Sequence, residues 1–186
     1  MHWFHGTTHD FEDFDPAYIG IGNDQIGSGF YFTDSLETAE QYTAGSGRIL
    51  TVDPGVENPM DPCHRMTREQ IGILIMGAPE YRDTLMNWGE IDSEGYGVVL
   101  SRAVSSYEQM MPEDGEGDIV DMMNALSNDF WRGAEADFLA LVVKTTGKDG
   151  LIRTVGLGGE RHLVAWLPER IQVLKEDLIL EVGPRP

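Results

Sequence analysis

Apolar positions fall into two regimes along the chain. Over roughly residues 1–62 they come in short runs rich in aromatic and β-branched side chains: His2-Trp3-Phe4-His5, Phe30-Tyr31-Phe32 and Arg48-Ile49-Leu50-Thr51-Val52. Such runs, bounded by Gly, Asp and Pro, predict strands. In a strand Phe30 and Phe32 share one face and Tyr31 takes the other. A phenol facing away from two buried phenylalanines needs water or a partner for its hydroxyl, which suits a cleft better than a sealed core. Gly27-Ser28-Gly29 precedes this run, and glycines let backbone approach a neighbour closely. Thr33 or Asp34 is expected to cap the helix that follows, with Glu37 closing a capping box if Asp34 is the cap. That helix carries Tyr42 on its second or third turn, where it and Tyr31 can clamp a flat ring.

From about residue 64 to 143 the period changes. Thr67-Arg68-Glu69-Gln70 is a capping-box signature, and Ile71, Leu74 and Ile75 follow at helical spacing. Further helices are expected at 80–88, 94–110, 117–131 and 134–145, with Met110, Met111, Met122 and Met123 as core filler. Strands return at Gly150–Val155 and Leu163–Trp166, joined by a flexible, hairpin-like Gly156–Arg161 connection. Ile171–Leu174 and Leu178–Val182 supply closing apolar segments. Between the first strands, Thr8–Ile26 is polar and turn-rich, pinned by Phe11 and Phe14. Its Gly20-Ile21-Gly22 has no strand before it and no helix after it, so it reads as a loop lining a pocket rather than a dinucleotide-binding turn. The whole is a single α+β domain over residues 1–186, with a helical insertion between two halves of a sheet.

Composition narrows the function. Among 186 residues, 32 acidic side chains against 13 basic ones give a net charge of −19. That surface repels phosphate backbones and favours solubility, a basic protein partner or life at high salt; a narrower reading is that the acidic surface imitates DNA. The single cysteine, Cys63, excludes an intrachain disulfide and fits a reducing compartment. No apolar run approaches a membrane span and no signal peptide is evident, so a soluble, cytoplasmic protein is expected. His2, His5 and His9 invite a metal reading, but His2 and His5 fall on opposite strand faces with no carboxylate pair in ligand spacing, so no metal is expected. His5 before Gly6 has another use. The imidazole can hydrogen-bond a sugar hydroxyl while bare Gly6 backbone meets an amide-bearing ligand.

These pieces together resemble the ADP-ribosyltransferase fold, in its diphtheria-toxin-like, poly(ADP-ribose)-polymerase-related branch, and most closely the small transferase domains of bacterial mobile elements and phage polyvalent proteins. His5-Gly6-Thr7 resembles the first motif of that branch. Gly27-Ser-Gly29-Phe-Tyr31-Phe-Thr-Asp34 resembles the second, with Tyr31 at the signature tyrosine and Tyr42 at the helix tyrosine facing it across nicotinamide. Asn58-Pro59, Lys148-Asp149-Gly150 and the Leu163–Ile171 strand with its Pro-Glu-Arg-Ile tail also match, so the resemblance covers about 1–62 and 144–175. It implies a split, mostly antiparallel sheet and transfer of one ADP-ribose from NAD to a macromolecular acceptor with release of nicotinamide; the acidic charge makes protein, rather than nucleic acid, the expected acceptor. His5, Gly6, Thr7, Gly29, Tyr31 and Tyr42 would hold NAD.

One position departs from the pattern. The branch opens its late strand with a glutamate that stabilises positive charge on the ribose, and ungapped alignment puts His162 there. Glu160 lies two residues earlier, on the same face by strand alternation. Either Glu160 serves, swinging inward on Gly158-Gly159, or His162 serves, or neither does. In the last case the chain is an inactive NAD- or ADP-ribose-binding module. A reading outside NAD is an acidic interaction protein docking a basic partner through its helical block.

Overall fold

Two apolar runs from the first part of the chain pair along their whole length. β1 (Trp3–Thr7) lies antiparallel to β3 (Arg48–Asp53), from Trp3 opposite Val52 to Thr7 opposite Arg48. The structure is a computed structural model that describes residues 2–11, 13–19, 27–112, 118–156 and 158–178. The Gly20-Ile21-Gly22 loop and the segment beyond Leu178 lie outside the described residues. With β2 (Phe30–Thr33), β4 (Gly150–Val155), β5 (Glu160–Ala165) and β6 (Gln172–Leu178), the strands form one six-stranded sheet in the order β4-β5-β2-β1-β3-β6. Every neighbouring pair is antiparallel.

The sheet is weakest at its middle. β2 follows β5 from Phe30 opposite Ala165 to Thr33 opposite His162, yet β1 meets β2 at a single register pair, Phe4 opposite Thr33. Past that pair the two halves part, and a cavity opens between them.

Strand alternation sorts the core. On one face Phe32, Leu163, Ala165, Leu50, Val52 and Phe14 make a small cluster. On the other, Val164, Leu151 and Trp166 join a larger core built with the helices. Tyr31 packs at the edge of that larger core, opposite in parity to Phe32 as its place in the strand requires. The helices are α1 (Leu36–Gln41) after β2, then α2 (Arg68–Met76), α3 (Tyr81–Leu85), α4 (Ile91–Glu94), α5 (Tyr96–Gln109), α6 (Ile119–Phe130) and α7 (Glu135–Thr146) between β3 and β4. Ile71, Leu74, Met122, Leu126 and Phe138 fill the space among them. The α+β class is as expected, and so is the capping box at α2, where Thr67 and Gln70 bond each other's backbone N–H. No helix among the described residues is long and apolar enough to cross a membrane.

Four local expectations are corrected. Ser35, not Thr33 or Asp34, caps α1, its Oγ accepting from Thr38 N at 3.2 Å. Asp34 is instead engaged by Arg161, accepting from its backbone N at 2.9 Å and from Nε at 3.0 Å. Tyr42 is the residue that ends α1 rather than one on a later turn, because the helix is a short one, Leu36–Gln41. β5 starts at Glu160 rather than Leu163, since a tight turn with Gly159 at φ +71° lets pairing run out to Val155 opposite Glu160. The gap expected between the two closing apolar segments is itself strand: β6 runs unbroken from Gln172 to Leu178 and pairs with β3, and the rest of the second segment lies outside the described residues.

Candidate active site

The cavity at the parting of β1 and β2 has a volume of about 370 Å³ and is lined by Phe4, His5 and Gly6, by Tyr31, Phe32 and Thr33, by Thr38, Ala39 and Tyr42, and by His162. Each element contributes for a local reason. Gly6 is where α1 lies directly on β1: a Cβ there would stand 1.9 Å from Ala39 O and 3.2 Å from Tyr42 Cβ. No side chain fits, so the absence of one sets how closely the helix, and Tyr42 at its end, approaches the strand. Gly29, at φ +142°, plays a similar part before β2, where a Cβ would stand 2.4 Å from Val164 Cγ1.

His5 is held in one orientation. Its Nδ1 lies 2.9 Å from Tyr31 O, and its ring packs edge-on against Phe14 at 5.4 Å and Phe11 at 6.0 Å, with Phe32 at 5.8 Å. Burial pushes its pKa down; the Tyr31 carbonyl opposes this and the nearby Arg48 charge adds to it. A neutral ring facing a carbonyl must carry its proton on Nδ1, so Nε2 is left as an acceptor, the arrangement that receives a hydroxyl. Arg48 keeps Phe11 beside this histidine, donating to Phe11 O at 2.6 Å with its guanidinium 5.0 Å from the Phe11 ring.

Tyr31 donates its hydroxyl to Gly27 O, which meets the phenol's need for a partner and fixes the ring. Tyr42 lines the same cavity and remains 64 % exposed. A partly buried tyrosine and an exposed one on the same cavity leave a flat apolar surface open to solvent, suited to an aromatic ring.

Glu160 and His162 share a face of β5, as their spacing requires, and they touch. His162 Nε2 lies 2.7 Å from Glu160 Oε1. The carboxylate also accepts from Thr33 Oγ1 at 2.9 Å and from Thr38 Oγ1 at 3.0 Å. Burial pushes the Glu160 pKa up, but the bonds from His162, Thr33 and Thr38 outweigh it and hold the group below the usual carboxylate value. The network needs no swing about Gly158-Gly159, because β5 already presents both side chains to β2 and α1.

Of the residues singled out in the sequence, His5, Gly6, Tyr31, Tyr42 and His162 line one cavity. Glu160 stands behind them, its carboxylate bonded to three lining residues. Thr7 and Gly29 are not in the lining: Thr7 is buried and accepts from His9 N, and Gly29 serves packing. Thr38 escapes notice in the sequence, where Thr33 reads only as a candidate helix cap. Their signal is indirect, since Thr33 is informative only once it is known to lie opposite His162, and Thr38 only once Ser35 is known as the cap.

No curated protein and no solved structure matches the chain. A family model does, over residues 1–172, so the match runs through the helical block as well as both halves of the sheet. With nearly the whole described fold inside that span, the chain belongs to the family of ADP-ribosyltransferases found in polyvalent proteins.

Proposed function

We propose that this chain transfers a single ADP-ribose from NAD to a protein acceptor and releases nicotinamide, in the manner of the branch that pairs a strand histidine, two tyrosines and a carboxylate. The observation that carries this reading is the placement of an ionised carboxylate, Glu160, against three residues of the cavity that Tyr31 and Tyr42 line. Tyr31 and Tyr42 take the nicotinamide ring between them, and His5 Nε2 accepts from a ribose hydroxyl. Glu160 supplies the negative charge that a ribose losing nicotinamide needs, in a site where pre-set charge is most effective. Thr33 and Thr38 keep that carboxylate in place. The net charge of −19 favours a protein acceptor over nucleic acid. The same reading takes residues 1–186 as one domain, with the helices at about 64–143 as an insertion packed on one face of the sheet.

A second reading, a module that holds NAD without cleaving it, draws on one feature: His162 rather than a carboxylate lines the cavity itself. Thermal unfolding in the presence of NAD tests the part common to both. Ligand at about 100 times its Kd adds roughly 2.7 kcal/mol of stability. Tyr31→Ala is expected to weaken that binding several-fold, a stacked ring contributing about 0.5–1.5 kcal/mol beyond its buried area. No shift at millimolar NAD removes both readings. Unchanged affinity in folded Tyr31→Ala shows that the ring sits elsewhere.

A further inference from the structure

The Glu160–His162 pair has the form of an oriented base, and this bears on what the acceptor is. An ionised carboxylate only accepts, so the 2.7 Å contact requires His162 Nε2 to carry a hydrogen and donate it to Glu160 Oε1. In the neutral ring the lone pair is then on Nδ1, and among the described residues no group bonds that nitrogen. The arginines on the adjoining strand and at the adjoining residue are otherwise engaged. Arg153, opposite His162 on β4, pairs with Asp118, and Arg161 pairs with Asp34. Glu160 is therefore the charge that faces the imidazole, and Thr33 and Thr38 fix it from two further elements.

Resting on the transferase reading, we propose that His162 is the general base for the acceptor, with Glu160 as its orienting partner, and that the acceptor is a serine or threonine hydroxyl in a basic protein segment. A carboxylate acceptor arrives without a proton and needs no base, whereas a hydroxyl must lose one as its oxygen attacks. The balance is simple. The bond from ribose C1′ to the nicotinamide nitrogen breaks, and the electron pair leaves with neutral nicotinamide. The hydroxyl oxygen bonds to C1′, and its proton passes to His162 Nδ1. The imidazolium formed is stabilised by Glu160 and later returns its proton to water. A basic segment fits because the surface carries a net charge of −19.

The test uses the whole chain with NAD and a lysine-rich peptide bearing one serine, beside the same peptide with aspartate in its place. Transfer and nicotinamide release are followed separately, with and without azide, an anionic nucleophile that carries no proton. Wild type is expected to modify the serine peptide in preference to the aspartate one. His162→Ala and His162→Gln are expected to lose serine transfer by about 100-fold or more, the usual contribution of a general base. Azide should restore nicotinamide release in both variants, while Glu160→Gln should not be rescued. Serine transfer at the wild-type rate in either His162 variant overturns the proposal, as does failure of azide to rescue a variant that still melts cooperatively and binds NAD. Wild-type preference for the aspartate peptide overturns the acceptor class. Those outcomes leave the transferase reading standing; no release by wild type with any acceptor overturns both.

Discussion

A single imidazole, His5, shows how burial and one hydrogen bond fix a protonation state. Desolvation lowers its pKa most, the Tyr31 carbonyl works against this and Arg48 with it, and the balance lies below the ordinary value of 6.5. The unfolded chain therefore binds this proton more readily than the folded one. Between the depressed folded pKa and about 6.5, stability must fall as pH falls, since the unfolded state takes up more protons. Above that window His5 is neutral in both states and its contribution is constant. Urea midpoints at about pH 7.5 and about pH 5.5 check this in wild type and in His5→Gln, which has no group that titrates there. His64, lowered chiefly by burial, contributes alike to both proteins and cancels. Wild type is expected to lose more stability on acidification than the variant; equal losses would mean that His5 is as easily protonated folded as unfolded.

At the scale of elements, the site is set by how closely α1 lies on β1. Gly6→Ala would place a Cβ 1.9 Å from Ala39 O, a contact that backbone must move to relieve. Overpacking of this kind costs about 1–3 kcal/mol. It should also shift Tyr42, so the variant is expected to melt earlier and to bind NAD more weakly at a temperature where it is still folded. A normal melting temperature would mean that α1 is not seated on this strand. Much of this arrangement was legible in the sequence, because periodicity is local. The parity of Phe30, Tyr31 and Phe32 put the phenol on its own face, and the Thr67–Gln70 box marked the start of α2. Other features depended on partners far along the chain. Thr33, Asp34 and Ser35 can each cap a helix; which one does is decided when Arg161 takes Asp34, and Thr33 turns to Glu160. The contact of Glu160 with Thr33 and Thr38 follows from the register of β2 on β5, which no local pattern announces.

Over the whole molecule, two half-sheets joined at one register pair leave a cavity where they part, and both halves contribute to it: His5 and Gly6 from one, Tyr31, Thr33 and His162 from the other. The proposed turnover depends on a charge beside this seam, that of Glu160. Removing that charge while keeping the shape of the side chain is the sharpest trial of the account. NAD labelled in its nicotinamide is incubated with wild type and with Glu160→Gln in the presence of an acceptor protein, and NAD affinity is measured alongside. Wild type is expected to release nicotinamide, and Glu160→Gln to release it at least about 100-fold more slowly, the scale on which a pre-set electrostatic group acts, with NAD affinity nearly unchanged. Release by Glu160→Gln at the wild-type rate would contradict the account.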